Sequence, residues 1–243
     1  MQTRRDWLKA SMGIGGILLT PPSILSAQEK IQYNPRVLES TIRLSSNENP
    51  YGPSKKVQQR IKNSFNHGCR YPYAYSDDLA SILAKKHGVP EESIIITGGS
   101  TEGLRITGLT FASNGGEIIS GQPTFLAMMD YAKQWGATIN WVPVGADKGY
   151  DLNEIEKRIS SKTKLIFLCN PNNPTGTLVP ARKLVDFCDT ASKKTIVFSD
   201  EAYYDYIEKP NYPSMISAVK KGENVIVSKT FSKVYGMAGL RIG

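Results

Sequence analysis

From residue 94 onward, short apolar runs rich in β-branched residues alternate with helix-length stretches whose apolar positions recur every three or four residues. The runs lie at 94–96, 117–120, 138–142, 164–169, 195–199 and 224–228, each of strand length. Between them, Leu152, Ile155 and Ile159 mark one helical face, and Leu184, Val185 and Cys188 another. Earlier, residues 77–86 read as a helix with Leu79, Ile82 and Leu83 turned inward. Strands that are apolar throughout, instead of alternating with polar residues, need cover on both sheet faces, as in the parallel sheets of α/β domains. The pattern therefore predicts an α/β fold, with a mostly parallel sheet and helices on both faces. Residues 28–53, rich in proline and asparagine, read as an extended arm. The organisation expected is a leader at 1–27, an N-terminal arm at 28–60 and a large domain at 61–243.

Composition sharpens this picture little. A chain of 243 residues with 40% hydrophobic content can build one large domain or two small ones. The net charge of +8 raises the question of nucleic acid. However, the basic residues come as scattered pairs (Lys55-Lys56, Lys85-Lys86, Lys193-Lys194, Lys220-Lys221) among acidic neighbours, which reads as a solvated surface. Cys69, Cys169 and Cys188 are odd in number and form no CxxC pair, which argues against a disulfide framework. With two histidines, a histidine-rich metal site is not expected either. Cys169 and Cys188 sit in apolar stretches and read as core thiols.

The first residues carry a different kind of signal. Thr3-Arg4-Arg5-Asp6-Trp7-Leu8-Lys9 precedes a mildly apolar stretch, 10–19, and Leu25-Ser26-Ala27 offers a cleavage site after Ala27. The apolar stretch contains Gly13, Gly15 and Gly16 and falls short of the ~20 residues that span a bilayer, so no stable membrane anchor is expected. The arrangement resembles a twin-arginine export signal and implies a periplasmic protein; the competing reading is a basic N-terminus on a cytoplasmic one. Removing 1–27 lowers the net charge from +8 to +6 and changes no inference about partners.

In open α/β sheets ligands bind beyond the carboxyl ends of the strands. The first run leads into Thr97-Gly98-Gly99-Ser100-Thr101-Glu102-Gly103, a glycine-rich turn opening a helix, whose free N–H groups suit a phosphate. It lacks the GxGxxG spacing of a dinucleotide site. The 164–169 run leads into Asn170-Pro171-Asn172-Asn173-Pro174-Thr175-Gly176. The 195–199 run leads into Asp200-Glu201-Ala202-Tyr203, and 224–228 into Lys229-Thr230-Phe231-Ser232-Lys233.

In that order, NPNNPTG, SDEAYYDY and SKTFSKVYGMAGLRIG resemble the pyridoxal-phosphate (PLP)-dependent aminotransferases of fold type I. SSNENPYGPS and GGSTEGL are most similar to histidinol-phosphate aminotransferases, and the likeness runs from about Ile42 to the last residue. The resemblance implies pyridoxal 5′-phosphate as cofactor. The implied activity moves an amino group between an amino acid or related amine and a 2-oxo acid. It makes Lys233 the Schiff-base lysine, which also shuttles the substrate proton, and sets Asp200 against the pyridine nitrogen. Asn173 and Tyr203 would donate to the ring oxygen. Arg241 would grip the phosphate, with the hydroxyls of Thr230 and Ser232 and the N–H groups of Ser100 and Thr101 completing the cradle. Phe125, in Gln122-Pro123-Thr124-Phe125, would stack on the ring, or else is ordinary core. Tyr71 would reach into a neighbouring subunit's site, implying a homodimer. Asn47 is a weak substrate candidate.

Family members continue for another domain's length, so the small C-terminal domain is expected to be absent from this chain, which would then be a fragment of a longer parent. Leu240-Arg241-Ile242 reads as the start of another strand. Other fold-type-I reactions, such as decarboxylase or lyase chemistry, and a non-catalytic PLP-domain fragment stay open as alternatives. If the leader exports the protein, a free amino acid or related amine is the expected substrate, because a cytoplasmic histidine-pathway intermediate would not meet the enzyme.

Overall fold

Five strands, β1 (Glu117–Gln122), β2 (Thr138–Pro143), β3 (Thr163–Cys169), β4 (Ile196–Asp200) and β5 (Val225–Ser228), pair in the order β2-β1-β3-β4-β5. Every pairing is parallel. The structure, a computed structural model, describes residues 42–243. The export reading of 1–27 and the arm up to residue 41 lie outside the described residues. The described part falls into a short unit, 42–47, and a compact one, Glu48–Gly243, which holds the sheet and its helices.

Among the described residues there are seven helices, in chain order α1 (Lys55–Ser64), α2 (Tyr73–His87), α3 (Ser100–Ala112), α4 (Ala127–Lys133), α5 (Leu152–Lys157), α6 (Ala181–Ala191) and α7 (Ile216–Lys220), of which α3 to α7 flank the strands. β3 shows why both faces must be covered. Its side chains alternate, so Leu165, Phe167 and Cys169 pack with Leu104 and Ala112 of α3 and Met128, Met129 and Ala132 of α4. Ile166 and Leu168 point the other way, onto Leu152 and Ile155 of α5, Leu184 and Cys188 of α6 and Ala218 of α7. Leu165, Ile166, Phe167 and Leu168 are all fully buried, which explains the unbroken apolar run in the sequence. No helix among the described residues is long and apolar enough to cross a membrane.

The chain winds from β1 outward to β2, then returns to lay β3, β4 and β5 on the other side of β1. The switch point therefore lies between β1 and β3, and the crevice favoured for ligands opens beyond their carboxyl ends.

Three local expectations are corrected. The run at 94–96 is not a strand. Thr97, just beyond it, exchanges two backbone hydrogen bonds with Gly243, at 2.8 and 3.1 Å, and this single pair builds no ladder onto the sheet. Leu240-Arg241-Ile242 does not start a strand either: Ala238–Leu240 is a 3₁₀ turn and Arg241 adopts a left-handed φ of 54°. The helix predicted at 77–86 begins at Tyr73, and its Ile82 is 64% exposed. At about 100° per residue the inward face runs through Ser76, Leu83 and His87, with Ala84 buried, and leaves Ile82 on the flank. Gly88 ends this helix in the left-handed conformation that glycine adopts at no steric cost.

Candidate functional site

Asp200 is the last residue of β4, in register with Cys169 of β3 on one side and Ser228 of β5 on the other. It is buried, and removal from water pushes its carboxyl up to about 6. The neighbouring Glu201 charge adds to the rise, while the Ala202 N–H, which donates to Oδ1 at 3.2 Å, and the Lys233 ammonium oppose it. A buried carboxylate poised this way favours a positive group against it.

Lys233 reaches the same corner from the loop after β5, with Nζ 5.3 Å from the centroid of the Tyr203 ring. The Asn173 amide donates to the Tyr203 hydroxyl at 3.5 Å. The ends of β3, β4 and β5 thus bring Asn173, Tyr203, Asp200 and Lys233 together. The loop carrying Lys233 is held from outside the sheet: the Asn49 amide donates to the Val234 carbonyl at 2.9 Å. At Gly236, φ is 68° and an added Cβ would come within 2.3 Å of the Gly52 carbonyl carbon. The residues around Asn49 thus act on the site through the backbone of the lysine loop, a role that SSNENPYGPS did not disclose.

Beside this corner lies a cationic cradle. Gly99, at the start of α3, has a φ of 89°, and a Cβ there would meet Arg241 Nη2 at 2.2 Å. Only glycine lets the guanidinium lie against this turn. Arg241 Nη1 donates to the Ala238 carbonyl at 2.8 Å and to Ser232 Oγ at 3.5 Å. The Ser232 N–H in turn donates to Thr230 Oγ1 at 3.1 Å, and both hydroxyl residues are buried. Ser100 and Thr101, partly buried, form the first turn of α3, where backbone N–H groups have no partner within the helix. A guanidinium, two hydroxyls and a helix start, kept open by the missing Cβ of Gly99, have the donor set an anionic phosphate requires.

Other predicted residues stand apart. Phe125 is partly buried against the α3–α4 side of the core. Tyr71 is 82% exposed and stacks on Tyr73, ring centroids 5.7 Å apart. Asn47 is exposed and belongs to the 42–47 unit. Burial pushes the Cys188 thiol up to about 12 and the Cys169 thiol well above its usual range, as befits core thiols.

Two networks were not singled out as site residues from the sequence. Glu201, buried, pairs with Lys229 at 2.9 Å and accepts from Ser214 Oγ and the Met215 N–H, both at 2.7 Å. Lys229 also lies 4.0 Å from the Tyr204 ring centroid, so the pair ties the end of β4 to that of β5. Tyr150, Thr124 and Asn172 form a second network between β1 and β3. A charged residue set directly after an apolar strand was the available clue to Glu201 and Lys229; Tyr150 lies in a loop without pattern.

Residues 39–243 match the family described as Aminotransferase class I and II. A histidinol-phosphate aminotransferase of Caldicellulosiruptor saccharolyticus is 39% identical over 206 residues, covering 85% of this chain and 57% of the relative. One from Bacillus velezensis is 36% identical over 214 residues, covering 88% and 59%. A solved structure of a candidate histidinol-phosphate aminotransferase from Erwinia carotovora atroseptica superposes with a TM-score of 0.80 at 31% identity, covering 84% of this chain and 60% of that one. The chain spans 55% to 59% of the length of the curated relatives it matches.

Proposed function

The chain belongs to the aminotransferase class I and II family, and on that premise we propose that its strand-end site holds pyridoxal 5′-phosphate and that the whole protein moves an amino group between an amino acid or related amine and a 2-oxo acid. The observation that carries this reading is the convergence of Lys233, Asp200 and the Tyr203–Asn173 pair beside the Arg241–Gly99 cradle.

When bound, the cofactor supplies an electron sink for the bond broken at the substrate carbon. Lys233 would provide the amine that holds it and would carry the proton at the substrate carbon. Asp200 would face the ring nitrogen and keep it protonated; a cation there would offset the desolvation that raises this carboxyl to about 6. Tyr203 and Asn173 would donate to the ring oxygen, and Phe125, at the edge of the α3–α4 side of the core, would cover one ring face. Arg241, Thr230, Ser232 and the N–H groups of Ser100 and Thr101 would hold the phosphate. Borohydride reduction of the cofactor-loaded protein followed by peptide mapping is expected to place the pyridoxyl group on Lys233. Label on another lysine, with none on Lys233, would overturn the assignment.

Two proposals extend the reading to the whole protein. The exposed Ile61, Phe65, Tyr71 and Tyr73 support a homodimer in which Tyr71 reaches the neighbouring site. The order of Arg4-Arg5, the apolar 10–19 stretch and Ala27 supports twin-arginine export. Cell fractionation tests the latter: replacing Arg4-Arg5 by Lys-Lys should retain the protein in the cytoplasm. Wild-type protein found wholly cytoplasmic with 1–27 attached would remove the proposal.

A further inference from the structure

We infer that Tyr150 is a positioning residue for this site, holding in fixed register the two loops that carry Phe125 and Asn173; the inference rests on the functional reading above. Tyr150 lies in the loop between β2 and α5, far in sequence from every motif at the strand ends. Its ring occupies the space of a missing side chain on β1: a Cβ added to Gly121 would meet Tyr150 Cδ1 at 2.2 Å. Seated there, the ring delivers its hydroxyl to the switch point between β1 and β3.

Three groups meet that oxygen. It lies 2.7 Å from Asn172 Oδ1 and 2.7 Å from Thr124 Oγ1, and it accepts from the Cys169 N–H at 3.2 Å. Asn172 Nδ2 donates to the Pro123 carbonyl at 3.1 Å and to Thr175 Oγ1 at 2.8 Å. A carbonyl can only accept, so this side of the amide is the NH₂ and Oδ1 must face the hydroxyls. Both hydroxyls then donate to Asn172 Oδ1, Tyr150 at 2.7 Å and Thr124 at 3.0 Å, and one of the two shares its proton across the 2.7 Å between them. Burial holds the phenol above its usual range, so it stays a neutral donor at any working pH.

Thr124 and Asn172 are both buried, so their positions are set by these bonds and not by water. Each sits one residue before a group the functional reading places on the cofactor: Thr124 before Phe125, and Asn172 before Asn173. A single phenol therefore couples the β1 loop that would cover the ring to the β3 loop that would touch its oxygen.

Tyr150→Phe in the full-length protein keeps the ring over Gly121 and removes one oxygen. We expect kcat to fall about 10- to 100-fold while KM for the amino donor changes less than about threefold, since misplacement of positioned groups costs rate before binding. The pH midpoint of the bound cofactor's absorbance should move by about half a unit or more as the ring oxygen loses its fixed donors. Without cofactor, amide hydrogen exchange at 122–125 and 170–176 should rise about tenfold together, with 225–228 unchanged. Thr124→Val, which strips the other hydroxyl from the same cluster, should shift the midpoint in the same direction. A Tyr150→Phe protein with wild-type exchange in both loops and an unmoved midpoint would overturn the inference. Wild-type protein that takes up no pyridoxal phosphate would instead overturn the functional reading, and the exchange experiment would still decide whether the phenol couples the loops.

Discussion

Beyond the carboxyl ends of β3 and β4 two phenols are tied down: Tyr204 donates to the Tyr212 carbonyl at 2.7 Å, and Tyr212 donates to the Val179 carbonyl at 2.6 Å. Along α1, the turn after it and the start of α2, by contrast, Phe65, Tyr71 and Tyr73 stand 83%, 82% and 71% exposed, and α1 has no buried residue. The same residue types behave oppositely because a buried phenol needs a hydrogen-bond partner, and partners converge only where parallel strands end side by side. The chain's own stability therefore resides in the sheet and its strand ends. The same contrast shows where apolar surface stays exposed, and the homodimer proposed above rests on that surface.

Four substitutions test this contrast. The largest effect is expected from Phe167→Ala, which empties a fully buried site stacked on Phe198 at 5.9 Å between ring centroids. Denaturant unfolding should show a loss of about 3–5 kcal/mol; a loss below ~1 kcal/mol would mean that the sheet core is not the main source of stability.

Asp200→Asn should act in the opposite direction and depend on pH. The folded carboxyl is raised from 3.8 to about 6, so its contribution is fully present below pH 3.8 and lost as pH rises through 6. Above pH 7 the unliganded protein then carries a penalty on the order of 3 kcal/mol, which asparagine removes. The stability of the cofactor-free variant relative to wild type should rise between pH 4 and pH 7 and level off beyond. A flat difference across that window would contradict the burial argument.

Arg241→Ala should weaken pyridoxal phosphate retention about 10- to 100-fold, the worth of a charge-assisted contact of this kind. Equal affinity in equilibrium dialysis would remove the arginine from the proposed cradle. The smallest effect belongs to Phe65→Ser, which should change the unfolding free energy of the isolated chain by less than about 0.5 kcal/mol while weakening self-association in sedimentation. A cost of several kcal/mol in the single chain would show that α1 packs more firmly than its exposure indicates.

Much of the fold was legible because the evidence for it is local. The apolar runs at 117–120, 138–142, 164–169, 195–199 and 224–228 each contain a strand's core, and their lack of alternation announced cover on both faces. Asp200 and Lys233 stand out by the same logic, as polar residues set just beyond such runs, and the ordered motifs add Asn173, Tyr203 and Arg241. The misreadings occur where locality fails. Residues 94–96 have a strand's composition, but a strand exists only if a neighbour offers a ladder, and here one pair with Gly243 is all that forms. Ile82 has a core residue's chemistry, but the face that α2 buries is chosen by what it packs against.

The alternation of strands and helices, the parallel sense of the sheet and the residue types delivered to its carboxyl edge could be read from the chain alone, because these follow from side-chain periodicity along a few residues. That Tyr150 fills the space above Gly121, that Glu201 meets Lys229, and that Arg241 lies against Gly99 emerges only once the chain is folded. Each of those contacts joins residues remote in sequence. Each depends on the absence of a side chain or the presence of a partner that no window of the chain contains.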